Sequence, residues 1–263
     1  MTTLDRLPPA VRQDVADICD PLLAGIQDVL GRDLVGLYLE GSLALGDLDD
    51  ASDLDFVAVS EQPIDAARFA RLQRLHDSLQ QLPVRFATDL EGSYADRAQV
   101  RAARPVVERM PNLERGPAER LKWEPVWAAW MVHLAILREH GVVLYGPPPS
   151  ELVDPISPGE LRRTVSPILV EWGGAFLARP GLAAHPGYQP YAVLSICRML
   201  YTMDHGAVTS KRLAAQWAAR ALDERWRPLI EAAWDERRRD PIPVPAERVG
   251  PTLDFVRMAL SRA

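Results

Sequence analysis

A strand that opens with two aspartates and then runs into the core is difficult to place in a fold. This chain has one at residues 53–59, Asp53-Leu54-Asp55-Phe56-Val57-Ala58-Val59. Alternate side chains of a strand share a face, so Asp53 and Asp55 project together with Val57 and Val59 behind them. Two like charges beside a core are costly unless a cation neutralises them. Just upstream, "LVGLYLE" (34–40) reads as a short apolar strand ending at Gly41-Ser42, and ten residues separate that dipeptide from Asp53.

The rest of the chain divides around one segment. "PPPSELVDPISP" (147–158) holds five prolines in twelve residues. Proline fixes φ and lacks the amide donor, so this reads as a linker. Before it come a helix over 11–30, with Pro21 as a break point, and a helix over 65–82 with Ala66, Phe69, Leu72, Leu75 and Leu79 on one side. A third strand is expected over 84–92, placing Arg85, Asp89 and Glu91 on one parity. A helix over 119–140 closed by Gly141 and a strand over 142–146 follow. After the linker the pattern is helical, over 159–178, 191–204, 210–222, 224–239 and 250–262, with Gly206 as a C-cap and Ser210 as an N-cap. The expected architecture is an α/β (α+β) domain with a small mixed sheet over 1–150 and an all-α helical bundle over 151–263.

Composition sets limits on function. Net charge is −6 and the pI about 5.5, which argues against nucleic acid as the main partner. The longest apolar run, 126–137, is too short for a membrane span and contains His133. The N-terminus shows no apolar signal region. A soluble, cytoplasmic protein is expected. Cys19 and Cys197 lie far apart in helical patterns and read as buried thiols. The five histidines show no metal-ligand spacing, the seven tryptophans read as core, and the Arg run 237–239 reads as a solvated helix face. Only two of the 30 basic residues, Lys122 and Lys211, are lysines.

The chemistry lies in the stretch "GSLALGDLDDASDLDF" (41–56). Asp47, Asp49 and Asp50 are read as solvated turn residues. Gly41, Ser42 and the short helix 42–46 can hold phosphate oxygens through backbone and hydroxyl donors. Asp53 and Asp55 can bridge a pair of Mg²⁺ ions, which clamp the attacking and leaving oxygens of a phosphoryl displacement.

Gly41-Ser42, ten residues and Asp53-Leu54-Asp55 resemble the signature of the polymerase-β-like nucleotidyltransferases. "REHGVVLYGPPPSELVDPISPGELR" (138–162) and "YAVLSICRMLYTMDHGAVTSKRLAAQWA" (191–218) resemble the aminoglycoside (streptomycin/spectinomycin) O-adenylyltransferases. The resemblance implies transfer of AMP from Mg·ATP to a hydroxyl with release of pyrophosphate, nucleotide and small acceptor lying in an interdomain cleft. It makes Asp53 and Asp55 metal ligands and Ser42 a phosphate contact. Glu91 becomes the third carboxylate and general base, and Arg198 and Lys211 the triphosphate's basic contacts. Glu91 lies 36 residues after Asp55, about one helix and one strand, so it can return to the same sheet edge. Asp89 shares its parity and is the rival. Arg198, in an apolar helix, needs a phosphate or an acid such as Asp204 as partner.

The resemblance breaks at the acceptor. Positions matching the family's substrate Trp and Asp residues hold Arg179, Ala184 and Tyr188, and no Asp or Glu occurs from Trp172 to Met203. Tyr191 replaces an amide that helps hold ATP. Two other readings stay open: adenylylation of a protein or RNA, as in toxin–antitoxin systems, and a nucleotide-binding module without catalysis.

Overall fold

The structure, a computed structural model, describes residues 4, 7–101, 109–126, 129–237 and 242–263. It divides into two units, Met1–Leu48 with Ser52–Pro155, and Asp49–Ala51 with Ile156–Ala263.

The first unit is built on a mixed six-stranded sheet of order β5-β4-β3-β2-β1-β6. Its strands are β1 (Leu34–Leu39), β2 (Leu54–Ser60), β3 (Leu90–Asp96), β4 (Arg109–Leu113), β5 (Lys122–Pro125) and β6 (Val142–Tyr145). β2 and β3 are parallel, joined through helix α3 (Ala66–Leu79), and the other described pairings are antiparallel. Helix α1 (Pro9–Leu30) packs on α3 and β1 through Ile18, Leu22 and Ile26, which are fully buried. That continuous apolar face carries α1 through Pro21, which does not break it.

Two expectations for this unit fail. Residues 84–89 form consecutive turns, with Ala87 N–H donating to Val84 O and Asp89 N–H to Phe86 O. The strand begins at Leu90 and continues past Gly92, the last residue of the expected range, to Asp96. Gly92 faces its register partner Phe56, and a Cβ there would lie 2.3 Å from the Phe56 ring. An aromatic packed over the backbone demands glycine inside the strand. The expected helix 119–140 splits into β5 and a shorter α5 (Trp130–His140). Pro125 sits on the edge strand, where its missing donor costs nothing, and Trp123 stacks on Phe69 at 5.1 Å.

The second unit is helical: α6 (Pro158–Leu177), α7 (Tyr188–His205), α8 (Lys211–Ala221), α9 (Arg227–Asp235) and α10 (Ala246–Leu260). Leu169, Val193, Ile196, Cys197, Ala214, Ala218, Ile230 and Phe255 form its core. Ser157 and Glu160 make a capping box at the start of α6. Gly206 closes α7 at φ 65° and Ser210 caps α8 by accepting from Leu213 N–H. Both cysteines are buried and free. Arg237 lies outside any helix and pairs with Asp49, so neither is merely solvated, while 238–239 fall outside the described residues. No helix among the described residues is long and apolar enough to cross a membrane.

Candidate active site

Asp53 precedes β2, and Asp55 is its second residue. In the parallel β2–β3 pair Asp55 lies directly opposite Glu91. Asp53, Asp55 and Glu91 thus converge, each half-buried, with a ligand oxygen from each within 4.8 Å of the others. Asp89 is outside this group. It serves through its carbonyl, which accepts from Leu54 N–H at 2.9 Å. Arg85 points elsewhere, to Asp14 at 3.3 Å.

The turn after β1 is fitted to these carboxylates. Glu40 N–H donates to Asp55 O at 3.0 Å, locking the end of β1 to the start of β2. Gly41 has φ +62°, and a Cβ on it would lie 1.8 Å from Asp55 Oδ2, so the backbone can approach the carboxylate only as glycine. Helix α2 (Gly41–Ala44) starts here. The Ser42 hydroxyl is buried with no hydrogen-bond partner.

The electrostatics follow from crowding. Burial, then the charges of Asp53, Glu91 and Glu40, push the Asp55 carboxyl well above the usual carboxylate range, while His133 pulls it down. Burial and Asp53 raise Glu91 to about 7, against His133 and Arg115. A cation placed among these oxygens would relieve the repulsion. Three oxygen donors of this kind suit a hard divalent ion, and the unpartnered Ser42 hydroxyl, one residue after the Gly41 that abuts Asp55, suits a phosphate oxygen.

Three residues of the site were missed in the sequence. Arg115 reaches Asp53 at 3.4 Å. Glu40, only 4 % exposed, and His133 of α5 form a pair with Nδ1 to Oε1 at 2.7 Å. A glutamate ending an apolar strand and a histidine inside an apolar run were the available signals.

Arg198 and Lys211 belong to the second unit. Lys211 opens α8, with its ammonium 5.6 Å from the centre of the Tyr191 ring. Arg198 lies half-buried on α7, seven residues from Tyr191 and so on the same side. Asp204 pairs with His205.

A parallel strand pair that brings three carboxylates beside a Gly-Ser turn, followed by a helical unit, defines a nucleotidyltransferase. Residues 26–102 match the family described as nucleotidyltransferase domain, and residues 151–257 match aminoglycoside adenylyltransferase, C-terminal domain. Spectinomycin 9-adenylyltransferase of Staphylococcus aureus is 25% identical over 221 residues, 79% of each chain. Aminoglycoside (3'') (9) adenylyltransferase of Klebsiella pneumoniae is 33% identical over 103 residues, 38% of this chain and 37% of that protein. The fold is that of spectinomycin adenyltransferase AAD(9) from Enterococcus faecialis, solved with ATP and spectinomycin. That match has TM-score 0.72 and 18% identity and covers 93% of this chain and 98% of that one. The chain is an aminoglycoside adenylyltransferase-like nucleotidyltransferase, and an enzyme. Relatives named for small antibiotics lend no weight to a protein or RNA target.

Proposed function

We propose that this enzyme transfers AMP from Mg·ATP to a hydroxyl group of a small molecule, releasing pyrophosphate. The observation that carries the proposal is the convergence of Asp53, Asp55 and Glu91 beside the Gly41–Ser42 turn. Asp53, Asp55 and Glu91 would hold the magnesium, which supplies charge neutralisation to the phosphates and to the oxygens that attack and leave. Ser42 Oγ, buried and unpartnered, donates to a phosphate oxygen. Glu91, opposite Asp55 across the parallel pair, accepts the proton of the acceptor hydroxyl as that oxygen bonds to the α-phosphorus and pyrophosphate departs. Lys211 and Arg198 are the basic residues assigned to the triphosphate.

The acceptor is a different matter from the chemistry. A polycationic drug needs carboxylates against its cations, or buried charge is left unpaired. The segment between α6 and α7 presents Arg179 and Ala184 to solvent, and Tyr188 stacks on Phe176 at 6.0 Å and Trp172 at 6.3 Å. With no acid from Trp172 to Met203, an acceptor less cationic than streptomycin is the better fit.

Calorimetric titration of ATP tests the proposal. Binding is expected with Mg²⁺ and much weaker binding with EDTA, and Asp53→Asn should abolish the difference. Equal affinity in both buffers would reject the metal assignment. A screen of hydroxyl compounds for pyrophosphate release then identifies the acceptor.

A further inference from the structure

Glu40 occupies a place where a carboxylate is expensive. It is 4 % exposed, follows an apolar strand, and its charge bears on the Asp55 carboxyl. One of its oxygens is bonded to His133 Nδ1 and the other is buried with no hydrogen-bond partner. A hydrophobic pair of similar volume is often neutral or stabilising in place of a buried ion pair, so stability alone does not account for these residues. Their connections are informative. Glu40 N–H holds Asp55 O, and Glu40 O accepts from Ala44 N–H at 3.4 Å, so its backbone joins Asp55 to the helical turn that carries Ser42. Its side chain joins the same point to α5. There His133 stacks on the buried Trp130 at 6.1 Å, and Trp130 Nε1 donates to Gln99 O at 3.2 Å. Gln99 in turn bonds Asp96 at the end of β3, the strand of Glu91. The carboxylate–imidazole bond therefore ties the end of β1 and the start of β2, where Asp55 lies, to α5, while the Trp130–Gln99 contacts run on to Asp96 at the opposite end of β3 from Glu91.

We propose that Glu40 and His133 are positioning residues for nucleotidyl transfer: their hydrogen-bonded pair fixes the Gly41–Ser42 turn and Asp55 relative to one another. Because the carboxylate only accepts, His133 Nδ1 carries the hydrogen, and the ring is held in one tautomer and one orientation. The influence of both groups on the Asp55 carboxyl agrees with this placement. The inference rests on the metal reading of Asp53, Asp55 and Glu91. It adds a second layer of side chains that aims those ligands, a layer whose loss typically costs 10–100-fold in metal affinity or activity.

The test is made on the full chain, with Mn²⁺ as the probe and free ion measured by electron paramagnetic resonance, with and without a non-hydrolysable ATP analogue. The double variant Glu40→Met/His133→Leu should melt no lower than wild type yet bind Mn²⁺ roughly 10–100-fold more weakly. Glu40→Gln, whose amide oxygen still accepts from Nδ1–H, should stay within about twofold of wild type, the margin expected of a nearly silent change. Long-range ¹H–¹⁵N spectra of the metal-free chain should show His133 with the hydrogen on Nδ1 in wild type and Glu40→Gln. If wild type binds Mn²⁺ and the double variant binds equally well, the positioning role is overturned and the metal site stands. If Glu40→Gln loses as much as the double variant, charge and not position is at work, which also overturns the role. If the double variant does not fold, Glu40→Gln and the spectra decide alone. If wild type itself fails to bind Mn²⁺ in either condition, both the metal reading and this inference fall.

Discussion

Replacing Gly41 with alanine tests whether the turn and the carboxylates are one device. The backbone at Gly41 has φ +62°, where an L-residue pays about 1–2 kcal/mol. The new Cβ would lie 1.8 Å from Asp55 Oδ2 and 2.5 Å from Cγ. Ordinary contact begins at about 3.5 Å, so the carboxylate has to retreat by well over 1 Å. Ligand constellations tolerate errors of about 0.5 Å, so the metal site should fail while the sheet survives. Gly46 supplies the control. It has φ +70° with nothing within 4 Å of a Cβ, so Gly46→Ala carries the backbone penalty without the collision. Both variants should melt lower by a few degrees, at about 2–4 °C per kcal/mol for a chain of this size. Only Gly41→Ala should lose Mg-dependent ATP binding, by on the order of 10²-fold, in a calorimetric titration. Wild-type affinity in Gly41→Ala, or an equal loss in Gly46→Ala, would refute the argument.

The raised Glu91 sets the direction of pH dependence in EDTA. Its folded-state value of about 7 against an ordinary 4.5 means the folded chain binds the extra proton between these values. That stabilisation is complete below about pH 4.5 and is lost as pH rises towards about 7, with a ceiling of roughly 3 kcal/mol. Melting temperature should fall over this window, and Glu91→Gln should flatten the slope; a rise with pH would reverse the reasoning. Lys211→Ala should weaken Mg·ATP binding about tenfold or more, the loss of a charged hydrogen bond, while the forfeited contact with Tyr191 costs at most about 1 kcal/mol in stability. Unchanged ATP affinity would return Lys211 to the surface. Streptomycin and spectinomycin should give little pyrophosphate release and little resistance when the chain is expressed in a sensitive bacterium. Drug-dependent release that disappears in Asp53→Asn would show that carboxylates outside the Trp172–Met203 segment receive them.

What could be read from the sequence depended on whether the deciding contact was local. β1, β2 and the helices of the second unit are governed by alternation, by 3.6-residue spacing and by caps such as Ser157, Ser210 and Gly206, all of which lie within a few residues of what they control. The strand expected to end at Gly92 and the helix expected to run through Pro125 both failed, and both residues take their places from tertiary packing. One glycine makes room for Phe56 on the neighbouring strand, and one proline lies on an edge that lacks a further partner among the described strands. The carboxylates show the same division. Asp53 and Asp55 announce themselves two residues apart, and the parallel register carries Glu91 to Asp55 once β3 is correctly begun at Leu90. With the strand misread as starting at residue 84, Asp89 and Glu91 were equivalent by parity. The turn over 84–89 separates them by spending Asp89 on a carbonyl contact to Leu54. Glu40 and His133 are 93 residues apart, and neither belongs to a pattern with its neighbours. Each is only an odd polar residue in an apolar stretch until the fold pairs them. A buried polar residue without a local partner therefore indicates a distant one, and here it lies beside the converging acids.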